Sequence, residues 1–243
     1  MFPVIRTVSV GLLAGGLGER LRATDDLPKC LIDISGTPLI VRVMRRLLDP
    51  SCSECLVVAG ENESQFRGVL QDLDFGVPLK FVPHVPVLGT ACALRGVATS
   101  AQAPLVLSAN ADTLLDVRAS ELADCVTRSG AAAAIAFTRR PDSPNFGSLL
   151  VNSRGLIERF DESQSFVAGN AANCGYYLFP RNSLRPLVDG QETSLEHEFL
   201  PHLISSNRVV GFDCTDRFFL DVGTPDRLRL AREIVGQGLQ FNP

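Results

Sequence analysis

Apolar and polar positions in the chain fall into short blocks whose period switches between that of a strand and that of a helix. Val8 to Leu13 is an unbroken apolar, β-prone run and predicts a buried strand. Ile32 to Pro38 is a short extended segment and turn. Pro38 to Leu48 has apolar residues at helical spacing, and Asp49-Pro50 stops it. Thr37 before Pro38 fits a helix cap with Pro at the first helical position. Cys55 to Ala59 predicts a second buried strand ending at Gly60, Ser64 to Leu73 a helix, and Leu79 to Val82 a third strand. Further on, Pro104 to Ala109 is a strand running into Asn110-Ala111-Asp112. Ala131 to Thr138 is another, closed by Arg139-Arg140-Pro141. The runs Phe146–Asn152 and Leu156–Phe160 predict a hairpin around Asn152-Ser153-Arg154-Gly155. Ala171 to Phe179 and Phe218 to Leu220 are the last strands, and a terminal helix follows from Pro225 to about Gly236. Strand–helix alternation of this kind implies βαβ units with right-handed crossovers, and so an α/β fold.

Composition narrows the classes. The 243 residues are enough to bury a sizeable core, and 45% hydrophobic with 21% charged residues is ordinary for a globular chain. A net charge of −4 without any Lys/Arg-rich run argues against a nucleic-acid surface. No uninterrupted apolar stretch is long enough to span a membrane, and the N-terminus lacks the pattern of a secretory signal. The seven cysteines are odd in number and scattered, which suits free thiols in a reducing cytoplasm. Cys52-Ser53-Glu54-Cys55 is a single C-x-x-C with no second pair. The three histidines, His84, His197 and His202, are too dispersed for a metal cluster.

The first strand carries the chemistry. It breaks abruptly into Ala14-Gly15-Gly16-Leu17-Gly18, which places backbone N–H groups at the carboxyl end of a sheet, where α/β proteins bind ligands. Glycines let the main chain approach phosphate oxygens, and consecutive N–H groups make an anion-holding concavity. Arg20 and Lys29 add a planar fork and a mobile point charge. The combination reads as a triphosphate cradle. It is not a dinucleotide fingerprint, because Leu21 stands where the third glycine belongs, and it is not a P-loop, because no Gly-Lys-Ser/Thr triplet follows.

Ala14-Gly15-Gly16-Leu17-Gly18-Glu19-Arg20-Leu21 followed by Pro28-Lys29 resembles the signature of the sugar-1-phosphate nucleotidylyltransferases, and further blocks in the family's order extend the resemblance over nearly the whole chain. It implies a Rossmann-like three-layer α/β fold with a predominantly parallel mixed sheet, of the glycosyltransferase-A-like type. Residues 1–243 would form a single nucleotidyltransferase domain. About 1–115 would bind the nucleotide and about 116–243 the sugar phosphate. No internal or hexapeptide repeat adds a further domain.

Residue by residue, the resemblance implies the following roles. Leu13, Ala14, Gly15, Gly16 and Gly18 would hold the nucleotide with Asn110. Leu88-Gly89-Thr90-Ala91 resembles the base-recognition segment, so Gly89 and Thr90 would join them. Arg20 would meet the β- and γ-phosphates, and Lys29 the α-phosphate and the incoming sugar phosphate. Asn110-Ala111-Asp112 stands where the family usually has Gly-Asp, and Asp221-Val222-Gly223-Thr224-Pro225 resembles its Asp-Ile-Gly-Thr-Pro. Asp112 and Asp221 would then be the magnesium ligands. Asn173-Cys174-Gly175 resembles an Asn-Ala-Gly that holds sugar hydroxyls, and Ser194-x-Glu196 opens a helix whose glutamate would do the same. Glu162 matches the family's Glu-Lys-Pro, but Ser163 replaces its lysine. Arg159, Arg139 and Arg140 are alternative sources of that charge.

The expected activity is magnesium-dependent nucleotidylyl transfer from a nucleoside triphosphate to a sugar 1-phosphate, giving a nucleotide-sugar and pyrophosphate. The short length and the Gly-Leu-Gly-x-Arg-Leu-Arg opening look most like guanylyltransferases for heptose or mannose 1-phosphates. Uridylyl- and thymidylyltransferases share much of the pattern, and a non-catalytic nucleotide-sugar-binding or regulatory protein is the rival from another class. The expected partners are these two small molecules, without nucleic acid or membrane, in a cytoplasmic protein. A homo-oligomer is left open.

Overall fold

A computed structural model describes residues 7–15, 27–83, 89–140, 146–162, 170–187 and 194–237. In chain order the elements are β1 (Val8–Leu13), β2 (Asp33–Ile34), β3 (Thr37–Pro38), α1 (Leu39–Leu47), β4 (Cys52–Val58), α2 (Glu63–Leu70), β5 (Leu79–Phe81), α3 (Thr90–Ser100), β6 (Leu105–Asn110) and β7 (Thr113–Leu115). Then follow α4 (Ala119–Ser129), β8 (Ala133–Thr138), β9 (Ser148–Val151), β10 (Ile157–Asp161), β11 (Ala171–Pro180), α5 (Leu200–Ser206), β12 (Val209–Asp213), β13 (Phe219–Asp221) and α6 (Pro225–Gly236).

Nine strands make the main sheet, with the path β10-β9-β11-β6-β1-β4-β5 and with β8 and β12 attached through β11. Strands β5, β4, β1 and β6 are parallel neighbours. β11 opposes β6, β8 and β9, so those three share one direction, and β12 runs parallel to β8. Only β11 and β10 therefore run against the other seven. This is the mixed, mainly co-directional sheet expected.

Helices cover both faces because alternate residues of the strands are apolar on both sides. Val8, Val10 and Leu12 of β1 pack on the face covered by α1, α2, α4 and α6. Residues such as Val106, Ile135 and Tyr177 pack on the face covered by α3 and α5. A Cβ built on Gly11 would lie 2.5 Å from Val97 Cγ1, so α3 rests directly on the bare backbone of β1. That contact sets how far the amino end of α3 stands from the end of β1. At the opposite ends of these strands the buried Glu54 carboxylate accepts bonds from Ser9 Oγ (2.7 Å), Gln102 N (2.8 Å) and Lys80 Nζ (2.6 Å). Burial alone would push this acid up, but those donors outweigh it and hold it below its usual range.

Five details depart from the sequence reading. Thr37 and Pro38 do not cap and open a helix. They pair with Ile34 and Asp33, and Pro38 is the residue just before α1. The second helix ends at Leu70 rather than Leu73, and β4 begins at Cys52, carrying the C-x-x-C into the buried sheet. The periodicity reading passed over α4, although Ala119, Leu122, Ala123 and Val126 form a buried helical stripe ending at a left-handed Gly130. It also passed over β7 and β12, which are only three and five residues long. All seven cysteines are free thiols.

Gly11→Ala should lower stability by about 1–3 kcal/mol by forcing α3 off β1. Urea denaturation reads the loss, and Val97→Ala in the same chain should recover part of it.

Candidate active site

The site grows from the carboxyl ends of β1 and β6 and the amino half of the antiparallel β11. β1 ends at Leu13, and the Ala14 N–H continues its ladder by donating to the Val58 carbonyl at 2.9 Å. The Ala14 amide is therefore already engaged, while Gly15 and Leu13 line a cavity of about 360 Å³ together with Lys29, Gly89, Thr90, Asn110 and Asp112. Gly89 turns the chain into α3 with a φ of +91°, a conformation that favours glycine. Gly16, Gly18 and Arg20 lie outside the described residues.

Lys29 is held by a single 3₁₀ turn, Lys29–Leu31, in which the Leu31 N–H bonds the Pro28 carbonyl at 2.8 Å. Its ammonium donates to Asp112 Oδ2 at 2.6 Å. Asp112 lies in the turn between β6 and β7, and there β7 pairs antiparallel with β13 so that Thr113 faces Asp221. The Val222 N–H donates to the Asp112 carbonyl at 3.0 Å. These pairings bring two strand-end carboxylates together from opposite halves of the chain. A Cβ on Gly223 would lie 2.6 Å from Asp221 Oδ2 and 3.7 Å from Lys29 Nζ, so the glycine sits against both groups. The Arg227 guanidinium, from the first turn of α6, donates to the Asp221 carbonyl. Thr224 caps that helix through its side chain, with Pro225 opening it, as the sequence pattern predicts.

A second chamber of about 170 Å³ adjoins the first and shares Asn110 with it. Glu162, Asn173, Gly175 and Asp221 line it, together with Thr113, Phe146, Gly147, Cys174 and Phe219, which the sequence reading did not single out. β11 bulges between Asn173 and Tyr177. Gly175 sits in that bulge with φ +73°, and a Cβ there would meet Asn110 Nδ2 at 2.5 Å. Only glycine satisfies both conditions. Asn173 is pinned at both ends of its amide. Nδ2 donates to Tyr177 Oη at 2.7 Å, and Oδ1 accepts the Gly175 N–H at 3.0 Å.

Glu196 lies on a π-helical turn, Leu195–Phe199, capped by the Ser194 hydroxyl. Its Oε2 accepts the Thr90 hydroxyl at 2.7 Å, and the Thr90 oxygen in turn accepts the Leu195 N–H at 3.1 Å. Glu162 is exposed as a residue, but its carboxyl is tucked against Gly147, where Oε2 fills the place a Cβ would take. Burial of that carboxyl, reinforced by the charge of Glu196, pushes it up to about 7. Burial raises the thiol of Cys30, beside Lys29, and the phenol of Tyr176, whose Oη donates to the Thr113 carbonyl at 2.8 Å. Both stay neutral, so neither is a nucleophile here. The described residues contain no group of three or more metal-ligating side chains; the Asp112–Asp221 pair is an all-oxygen donor set. A larger hollow of about 580 Å³, lined by Arg95, Arg181 and Arg185, contains none of the strand-end carboxylates.

Because Glu162 keeps its proton in the folded chain up to about pH 7 and releases it near the ordinary 4.5 when unfolded, its contribution to stability is present below 4.5 and is lost as the pH rises through 7. Glu162→Gln should therefore melt higher than the parent at pH 8 and lose that advantage at pH 5. Thermal melts across this range check it; a difference that does not vary with pH would contradict the assignment.

The family model described as nucleotidyl transferase matches residues 10–237. The mannose-1-phosphate guanyltransferase of Pichia angusta is 29% identical over 223 residues, covering 88% of this chain and 60% of that protein. The chain thus spans about 60% of the length of the curated relatives it matches. Among solved structures, HddC from Yersinia pseudotuberculosis superposes with a TM-score of 0.78 at 21% identity, covering 93% of this chain and 99% of that one. The same protein complexed with GMP-PN gives 0.75 at 20% identity, over the same shares of the two chains. The inositol-1-phosphate CTP transferase of T. maritima gives 0.78 at 22% identity, covering 97% and 98%. At these identities the superpositions establish the shared fold, and no described helix is long and apolar enough to cross a membrane. With a family model matched from the first strand to the last helix, the chain belongs to the nucleotidyl transferase family.

Proposed function

We propose that the protein transfers a nucleotidylyl group from a nucleoside triphosphate to a sugar 1-phosphate and releases pyrophosphate. The observation that carries this reading is the meeting of Lys29, Asp112 and Asp221 where the two chambers adjoin. The first chamber, walled by Gly15, Gly89 and the amino end of α3, suits a nucleotide, because the N–H groups and dipole at a helix amino end favour phosphate and acceptor atoms. The second, walled by Asn173, Gly175 and Glu162, suits a polyhydroxylated ring.

In the reaction an oxygen of the sugar phosphate bonds to the α-phosphorus in line, and the bond from that phosphorus to the bridging oxygen of pyrophosphate breaks. The attacking oxygen is already ionised near neutral pH, so no side chain has to remove a proton. What remains is to position two anions and neutralise their charge. Lys29 supplies a cation beside the reacting phosphorus, and Arg20 would serve the outer phosphates. Asp112 and Asp221 fit a magnesium ion, since that ion prefers one or two carboxylates completed by phosphate oxygens and water. When bound, it would offset charge on the phosphates. Glu162 and Glu196 would take sugar hydroxyls.

The relatives named as mannose-1-phosphate guanyltransferases and the neighbour complexed with GMP-PN favour GTP, with a mannose or heptose 1-phosphate as acceptor. The free cysteines favour a reducing compartment such as the cytoplasm.

Pyrophosphate release should be measured for five nucleoside triphosphates against a panel of sugar 1-phosphates with magnesium, and signal is expected with GTP. A blank grid with nucleotide binding retained in a thermal shift would replace the reading with a binding protein. Lys29→Ala should lower kcat by about two to four powers of ten; wild-type turnover would remove its assigned role. Asp221→Asn should move the magnesium titration of the rate to higher concentration, and an unchanged titration would count against the carboxylate pair.

A further inference from the structure

Thr90 stands on the wall of the nucleotide chamber, but its hydroxyl is spent on another part of the chain. Its proton goes to Glu196 Oε2 at 2.7 Å, and its oxygen accepts the Leu195 N–H at 3.1 Å. The two segments are more than a hundred residues apart in sequence. The same hydroxyl therefore ties the first turn of α3 to the first turn of the π-helical segment. Glu196 is not itself among the residues that line the sugar chamber. We propose that Thr90 is a positioning residue, holding Glu196 in one rotamer at the edge of that chamber, rather than a reader of the nucleotide base. This rests on the assignment of the two chambers under Proposed function.

A glutamate on a helix surface samples several rotamers, and ordering it on a ligand costs entropy. The Thr90 bond meets that cost before the sugar phosphate arrives. It occupies Oε2 and leaves Oε1 as the acceptor for a hydroxyl, which is how preorganisation raises affinity. It also fixes where the negative charge of Glu196 stands relative to Glu162, the carboxyl that lines the sugar chamber and responds to that charge. A base seated against Gly89 would steady the first turn of α3, and through Thr90 it would steady Glu196. Sugar-phosphate affinity would then improve once nucleotide is bound.

Steady-state kinetics with the active substrate pair test this. Thr90→Val, nearly isosteric, should raise KM for the sugar 1-phosphate about three- to tenfold, the worth of one such hydrogen bond, and leave KM for the nucleotide within about twofold. Thr90→Ser should restore the parent values. In a Glu196→Ala background Thr90→Val should add nothing to the sugar KM, because the side chain it positions is gone. The inference is overturned if Thr90→Val acts on the nucleotide KM instead, if it leaves the sugar KM unchanged, or if its effect persists in full without Glu196. A parent protein that turns over no pair in the grid refutes the proposed function itself, a result distinct from any of these three.

Discussion

Two carboxylates more than a hundred residues apart become neighbours because two three-residue strands, β7 and β13, pair antiparallel. Neither strand belongs to the main sheet, and neither is long enough to be stable alone. They are held by what surrounds them. Leu114, Leu115 and Leu220 are buried in the core, Tyr176 ties its hydroxyl to the Thr113 carbonyl, and the Val222 amide binds the Asp112 carbonyl. The position of Asp221 relative to Asp112 and Lys29 is thus set by core packing and backbone bonds, which are far stiffer than side-chain rotamers. For a site that works by placing charges, that stiffness is the useful property.

The second constraint is the reversed strand β11. By opposing β6 along its carboxyl half and β9 along its amino end, it joins the parallel strands β5-β4-β1-β6 to the β9–β10 hairpin. The bulge between Asn173 and Tyr177 re-aims the chain at that junction, as bulges next to binding sites do. Gly175 lets Asn110 come close enough for one asparagine to line both chambers. The two chambers are therefore separated by a side chain's width.

Much of this was legible in the sequence, for physical reasons that differ from element to element. β1 declares itself because a strand covered on both faces must be apolar throughout, Asp112 and Asp221 declare themselves as charges at strand ends, and Lys29 as a cation following the glycine segment. Thr37-Pro38 misled because a proline at N1 and a proline just before a helix leave the same local trace. The stripe of α4 is readable in the same way as that of α1. By contrast, β7 with β13 and β8 with β12 are pairings between distant segments, and local periodicity carries no information about partners. The Thr90–Glu196 bond is of the same kind. Each residue fits its local motif, yet nothing in either motif says that they meet. Gly147 could have been suspected as a backbone position with no room for a side chain, but the carboxyl that fills the space comes from Glu162.

Charge accounting in the site fits the proposed transfer between two anions better than covalent catalysis by the protein. Lys29 and Asp112 form a half-sheltered pair, with side chains 13% and 28% exposed, so the cation is kept in place without a ligand. A buried pair of this kind contributes little net stability, because desolvation offsets most of the attraction. Its value is orientation. In the proposed reaction Lys29 would exchange a carboxylate oxygen for a phosphate oxygen, and Asp112 with Asp221 would be the residues to hold a metal ion. Each charge then keeps a counter-charge throughout. A thiol nucleophile would break this balance: burial and Asp112 both hold the Cys30 thiol neutral, and an anion there would stand next to the incoming phosphates. On the proposed reading the sugar phosphate's own oxygen would be the nucleophile, and the protein's task would be to hold it in line.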